Sequence, residues 1–271
     1  MKPILLIALF TASFLTIDAQ ELYVFSQPAS NVPSKSLSFK ATSRFTESRA
    51  TDKYRQRYLP EVMFGVDKNW MIALGAAFSN HYFSNIRYDG ARLYAKYRFL
   101  SNDDVHRHFR MAAFADAAYT RNPYRYQEVT LEGDNDGAQI GLIATQLVNK
   151  TAVSATAAYT RIFAAKAEHQ QHLGHALNML NYSISAGQLL LPKEYTGYGQ
   201  TNLNLYLEVM GMKGLDNDHY LLDLAPAVQL IFNSNTKVNL GYRFQVTGNM
   251  TRVGENMIQV GVEYTLLNAF K

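Results

Sequence analysis

The residues best suited to binding a metal lie in one polar stretch, EHQQHLGH. His169, His172 and His175 follow one another there at intervals of three, and imidazole is a common ligand of zinc, copper and nickel. The stretch lacks the pattern of a regular element that would fix the three rings. The chain has no cysteine, and no clear set of carboxylates completes a coordination shell. The pattern therefore favours polar loop residues over a metal site.

A second candidate is the acidic stretch EGDNDG. Glu132, Asp134 and Asp136 alternate along it, as oxygen ligands do in calcium-binding loops. An EF-hand loop also needs a closing glutamate, which this sequence does not provide. We therefore expect a solvated acidic loop here.

Ser79 and His81, in the stretch Ser-Asn-His, are the closest approach to a nucleophile with a base. Such a pair needs an oriented third partner, and none stands nearby in the sequence. A glycine-rich phosphate loop, a dinucleotide fingerprint and a zinc-protease motif are all missing. The sequence predicts a protein that is not an enzyme and has no cofactor. A membrane-embedded hydrolase that uses Ser79 is an alternative to the two non-enzymatic functions given at the end of this subsection.

The elements that must position these residues follow a period of two. Near the end of the chain, Leu240 and Tyr242 alternate with Gly241 and Arg243, and this period is that of a β-strand. The pattern predicts twelve strands, at about 35–45, 56–67, 69–80, 87–99, 107–121, 137–148, 151–163, 176–190, 201–211, 218–233, 236–247 and 256–268. An even number is expected of a bacterial single-chain barrel.

The connections between these strands alternate in length. Those after odd-numbered strands are mostly long and polar, whereas several after even-numbered strands are short, such as Asn149-Lys150. Long external loops and short periplasmic turns are typical of outer-membrane barrels. Two connections depart from the rhythm, at 100–106 and 191–200, and a further strand near 124–131 would change the count by two.

The start of the chain predicts export. Met1 and Lys2 precede an apolar run to Ile17, and Ala19 suits the position before a cleavage site, so residues 1–19 are predicted to be a signal peptide. Residues 20–34, with two prolines, are expected to form an irregular segment on the periplasmic side. Residues 35–271 then form a single barrel domain.

Composition excludes some classes of function. Without cysteine there can be no disulfide framework. The net charge of +4 and pI near 9.0 come from scattered Lys and Arg, which argues against a nucleic-acid partner. A mean hydropathy of −0.17 does not decide membrane insertion, because barrel strands of about 9–11 residues escape hydropathy scales.

Aromatic residues indicate which face meets lipid. Trp70 and Phe78 bracket one apolar strand face, and Phe109 and Tyr119 bracket another. Aromatic girdles at both edges of an apolar band mark membrane barrels, although aromatic residues also favour strands in general. Together with the predicted export signal, the girdles favour a membrane barrel over a soluble one.

The last strand carries a further signal. It presents the alternating residues Val260, Val262, Tyr264 and Leu266, followed by Phe270. In these features the chain resembles the outer-membrane β-barrel proteins of Gram-negative bacteria, over essentially its whole mature length. The resemblance implies a place in the outer membrane, contact with its lipid, and insertion by the machinery that reads the terminal strand. Lys271 departs from the pattern, in which the aromatic residue comes last.

The expected fold class is thus all-β, a transmembrane antiparallel up-and-down barrel of about twelve strands. Twelve charged residues are predicted to line its lumen: Lys40, Arg44, Glu61, Arg92, Lys96, Arg98, Arg110, Asp116, Glu208, Asp223, Arg243 and Glu263. The predicted function is a channel or transport-type protein for small solutes, with the basic residues favouring anions. The alternative is a non-conducting barrel that serves as a structural subunit of a surface or secretion assembly.

Overall fold

A computed structural model describes residues 23–48, 53–104, 107–163, 174–193 and 199–270. The predicted signal peptide, His169 and His172 lie outside these residues. The strands are β1 Ser36–Glu47, β2 Tyr54–Gly65, β3 Trp70–Ser79, β4 Arg87–Asp104, β5 Arg107–Thr120, β6 Gly137–Val148, β7 Thr151–Ile162, β8 Asn178–Leu191, β9 Asn202–Gly214, β10 Tyr220–Phe232, β11 Thr236–Gly248 and β12 Asn256–Leu266. The predicted count of twelve is confirmed.

The strands form one closed antiparallel barrel. Each pairs with its neighbours along the chain, and β1 pairs with β12, so that Phe39 stands opposite Tyr264. In lipid an unpaired backbone N–H or C=O costs several kcal/mol, and closure leaves no sheet edge unpaired. The prediction of an up-and-down barrel is therefore confirmed. Among the described residues no helix is long and apolar enough to cross a membrane.

The apolar side chains of the strands point outward. Leu240 is 55% exposed and Ile140 is 62% exposed, whereas Asn239, next to Leu240, is 4% exposed. On the outer surface the rings of Trp70 and Tyr97 lie 4.7 Å apart, beside a turn that connects two strands. An apolar exterior around a polar interior is the pattern of a barrel in lipid.

The connections follow the predicted rhythm, with one correction. Strand β4 runs to Asp104 instead of ending at 99, because its ladder with β5 continues past an irregularity between Arg98 and Leu100. Only two residues therefore separate β4 from β5 in the sequence. The other exception, after Leu191, remains long. Residues 121–136 form no strand, so the further strand considered near 124–131 is absent.

Spin labels test the assignment of the two faces. Nitroxides at Leu240 and Val262 should collide freely with oxygen dissolved in lipid, because both side chains lie on the apolar exterior. A label at Asn239 should not, because that side chain points into the lumen. Power-saturation measurements in liposomes would check this. Equal oxygen accessibility at positions 239 and 240 would contradict the assignment.

Candidate functional site

The lumen collects the charged residues of the strands. The twelve predicted lumen residues occupy inward-facing positions, and Lys96, Glu208 and Asp223 are almost completely buried. Arg98 lies at the turn end, where its guanidinium donates to the Lys68 carbonyl at 2.6 Å. The lumen is the candidate functional site because it is the one polar space that the barrel encloses.

Opposite charges on the wall are paired. Arg92 contacts Asp116 at 2.8 Å, and Lys237 contacts Glu263 at 2.6 Å. A buried charge that lost its partner would cost several kcal/mol. Arg92 and Lys237 are therefore held by wall carboxylates and are not free to attract anions.

The connection between β5 and β6, residues 121–136, folds into the lumen. Its carboxylate Glu132 accepts hydrogen bonds from Arg44, at 3.2 Å for one of the two contacts, and lies 3.6 Å from Arg92. Asp134, 9% exposed, accepts from Arg57 at 2.7 Å. The expectation of a solvated acidic loop is wrong, because arginines on β1, β2 and β4 bind its carboxylates.

A second cluster holds the other side of this loop. Glu128 accepts from Arg243 at 2.8 Å and from Arg252 at 2.9 and 3.0 Å. Asp223, on β10, accepts from both arginines as well. Two carboxylates and two guanidinium groups thus form a charge-balanced cluster that ties the loop to β10, β11 and the connection before β12. Charge-assisted hydrogen bonds of this kind are stronger than those between neutral groups.

The opposite edge of the loop is apolar. Tyr124, Val129 and Leu131 are buried in one cluster with side chains of β7 to β10, among them Met179 and Met212. The Tyr124 hydroxyl donates to the Ala176 carbonyl at 2.8 Å. The loop is therefore held by charges on one side of the barrel and by apolar packing on the other.

The loop also pairs with the connection between β11 and β12. The backbone N–H of Gln127 donates to the Thr251 carbonyl at 2.9 Å, and the Thr251 N–H donates to the Gln127 side chain at 2.9 Å. At the tip, Asn135 N–H donates to the Thr130 carbonyl. Gly133 closes this turn with φ +100°, and a Cβ added to it would lie 2.6 Å from the Ala77 Cβ.

The ion pairs set the protonation of the loop carboxylates. Burial alone would raise the pKa of Glu132 and of Asp134, but Arg44 and Arg92 beside the first and Arg57 beside the second lower both below the usual range. A depressed carboxyl pKa stabilises the folded state at any pH above the unfolded value and ceases to do so only as pH falls through the folded value. The pairs therefore persist at neutral and mildly acidic pH.

The described part of the N-terminal segment, residues 23–34, lies inside the barrel, and its location on the periplasmic side stays a prediction. Its backbone is bound by side chains of the wall. The carboxylate of Glu208, on β9, accepts from three successive amides, those of Val24, Phe25 and Ser26, at 2.8 to 2.9 Å. This arrangement satisfies a fully buried charge.

Other strands hold the rest of the segment. The Lys96 ammonium donates to the carbonyls of Pro28 and Ser30 at 2.8 and 2.7 Å. The Ala29 amide donates to the Thr145 hydroxyl at 2.9 Å. The Phe25 ring covers Gly241, where a Cβ would approach it to 2.5 Å. The wall is therefore shaped to hold this segment.

Three cavities remain between the loop, the N-terminal segment and the wall. Their volumes are about 250, 110 and 40 Å³. All three are lined in part by Ser26 and Gln27, so they meet at this point of the N-terminal segment. The lumen is thus partly filled but not solid.

Ser79 and His81, the candidate nucleophile and base, are not arranged for catalysis. The backbone N–H of His81 donates to the Ser79 hydroxyl at 3.2 Å, whereas the His81 imidazole contacts Arg57 at 2.9 Å. Burial and then Arg57 lower the pKa of His81 to about 3, so the ring is neutral. This is not a serine activated by histidine.

The ring of His175 lies 4.5 Å from that of Tyr124. In the part of the chain that the structure describes, no group of three potential metal ligands is found. The other two histidines of EHQQHLGH lie outside that part.

Sequence reasoning missed several members of the lumen site. These are Arg57, Glu128, Glu132, Asp134, Lys237 and Arg252. Arg57 and Lys237 share the strand parity of the inward-facing residues Glu61 and Asn239, so strand parity alone would have found them. The loop residues and Arg252 carry no periodic signal, and only the fold brings them to the wall.

A closed antiparallel barrel with an apolar exterior and a charged lumen is a β-barrel of the Gram-negative outer-membrane type. An outer-membrane channel of Pseudomonas putida F1 superposes with a TM-score of 0.57 at 8% identity, covering 90% of this chain and 100% of that one. The NanC porin superposes with a TM-score of 0.52 at 11% identity, covering 85% and 100%. At these identities the likeness is one of fold. No family model and no curated relative matches the sequence.

Replacing Gly133 tests whether the loop is docked in the lumen. Gly133→Ala should release residues 121–136, because the residue has φ +100° and the new Cβ would collide with Ala77. Trypsin should then cut at Arg121 or Arg125 at least tenfold faster in detergent-solubilised barrels, since about 1.4 kcal/mol corresponds to a factor of ten.

Gly75→Ala is the matched control. Gly75 also faces the lumen, but an added Cβ would have its nearest neighbour at an ordinary 3.7 Å. Cleavage of this variant should equal that of the unaltered protein. Equal cleavage of the Gly133 and Gly75 variants would show that the loop is not held as described.

Proposed function

We propose that this protein is an outer-membrane channel for small solutes, closed in this state by residues 121–136 and by the N-terminal segment. The observation that carries the proposal is the chain of three cavities that meet at Ser26 and Gln27. A lumen sealed for structural reasons alone would be expected to pack without voids of this size. The similarity of fold to a channel and a porin agrees with the proposal.

The loop is the proposed gate. Arginines from β1, β2, β4 and β11 hold its acidic edge, and these pairs can exchange partners with water when the loop moves. Its apolar edge stays attached to β7–β10 and provides the hinge. Movement of the acidic edge away from the wall would join the cavities to the external side.

The proposed selectivity for charge is weak. Several of the basic residues that suggested anion transport are matched by carboxylates, as in Arg92 with Asp116 and Glu132, and Lys96 and Arg98 donate to backbone carbonyls. A balanced set of charges gives no strong field of one sign along the lumen. We therefore do not extend the proposal to a preference for anions.

A non-conducting barrel in a larger assembly is the second candidate. It is favoured by the number of wall side chains that hold the N-terminal segment, from Glu208 on β9 to Lys96 on β4 and Thr145 on β6. A segment bound at so many points is expected to stay in the lumen and to block it permanently. Electrical recording distinguishes the two candidates.

Glu132→Gln tests the gate. The substitution leaves Arg44 and Arg92 without their loop carboxylate, so the acidic edge should detach more often. Planar-bilayer recording should show at least a threefold rise in open probability. Asp218→Asn, which neutralises a fully exposed loop carboxylate, should leave it unchanged. Identical recordings from both variants would exclude the loop as gate.

Removal of part of the N-terminal segment tests whether solutes pass through the three cavities. Deleting residues 23–30 while keeping the export signal should raise single-channel conductance severalfold, because these residues border all three cavities. Glu208→Gln keeps the chain length but weakens the three amide contacts, so it should give an intermediate increase. Absence of conductance in every form, with the barrel folded, would favour the non-conducting alternative.

A further inference from the structure

We propose that the largest of these three cavities is a binding site for a small, uncharged, polyhydroxylated solute of about the size of a monosaccharide. The proposal rests on the channel function proposed above and names the class of solute that passes. The cavity lies between residues 121–136, the N-terminal segment and the inner faces of β4 to β11. Its volume of about 250 Å³ equals roughly eight waters at about 30 Å³ each.

One part of the lumen wall carries no charge. The inward-facing residues of β6, β7 and β8 are neutral, and those that line the cavity include Gln139, Thr156, Thr160, Asn181 and Ser183. Most other strands place at least one charged side chain inward. The cavity lies against this neutral part, so hydroxyl and amide groups form one of its walls.

The cavity exists because the wall residues there are small. Ala158 lies opposite Gly141 in the ladder, and Thr156 and Ser183 also line the space. The ring of Phe114 reaches across Gly141, where a Cβ would approach it to 2.6 Å. A larger residue at Thr156, Ala158 or Ser183 would fill the space that the ligand needs.

Two buried polar atoms on the wall have no hydrogen-bond partner among the described residues. These are the Tyr94 hydroxyl and the Asn181 side-chain oxygen. The Asn181 amide nitrogen and Gln139 both donate to the Thr160 hydroxyl, at 2.6 and 2.8 Å. Buried polar groups are nearly always paired. A rotation of either side chain toward the cavity would let a ligand hydroxyl accept from the tyrosine or donate to the amide oxygen.

The charged residues that line the cavity, Arg92, Asp116, Glu128, Glu132 and Arg243, do not suit a charged ligand because they are paired with one another. Arg92 is paired with Asp116, and Arg243 is paired with Glu128 and Asp223. A charged solute would have to compete with these internal pairs. An uncharged solute leaves them intact.

An apolar surface faces the polar wall. Tyr94 and Phe114 are stacked with their ring centroids 5.5 Å apart, and Ile143 lies beside them in the lining. A sugar ring has C–H faces as well as hydroxyl groups, so it matches a site with both kinds of wall. Ligand sites commonly combine apolar and aromatic walls with a few polar groups.

The test uses the full mature chain in detergent and three probes of similar size. Saturation-transfer-difference NMR would compare glucose, gluconate and glucosamine at equal concentration. Glucose should give a signal at least fivefold stronger than either charged probe. A glucose signal no stronger than those of gluconate and glucosamine would overturn the proposal.

Near-isosteric variants locate the site. Asn181→Leu and Thr156→Val should each weaken the glucose signal at least threefold. Thr42→Val makes the same change on the inner face of β1, outside this cavity, and should have no effect. Equal glucose signals from all three variants would also overturn the proposal.

Recording of potassium chloride conductance from the same preparations keeps the two proposals separate. Glucose binding without conductance would support the site and contradict the channel. Conductance without selective glucose binding would support the channel and contradict the site.

Discussion

The requirement that no backbone hydrogen-bonding group meet lipid unpaired determines the rest of this structure. The ladder between β1 and β12 satisfies it by closing the sheet, which removes both edges. Closure forces alternate side chains to opposite surfaces. The apolar residues then take the lipid side, and the charged side chains that point inward must find their partners in the enclosed space.

A barrel of twelve strands is too wide for its own side chains to fill. Barrels of about eight strands are filled in this way, whereas those of 16–18 strands leave an aqueous channel. Here additional chain enters the lumen. Residues 121–136 occupy one level and the N-terminal segment occupies another, each bound by side chains from several strands. The charges of the wall are therefore met by the charges and backbone groups of these two segments.

The lumen wall has a charged part and an apolar part, and residues 121–136 have an acidic edge and an apolar edge that contact them. Strands β1, β2, β4 and β11 supply arginines to the acidic residues Glu128, Glu132 and Asp134. On the other side the loop packs Tyr124 and Val129 against an apolar cluster. The largest cavity lies where the neutral strands β6–β8 carry small residues, so its position follows from this division.

The sequence by itself determined the barrel, because the period-two alternation of strands such as β11 and β12 is a local property of the chain. Parity along a strand also predicts which of its charged residues face inward, although Arg57 and Lys237 were not among the residues predicted to line the lumen. The sequence did not reveal the role of the acidic loop or of the N-terminal segment. Irregular segments have no periodicity, and Glu132 is bound to Arg44, 88 residues away in the chain. Only closure of the barrel brings such groups together, and so only the tertiary structure decided what fills the lumen and where it stays open.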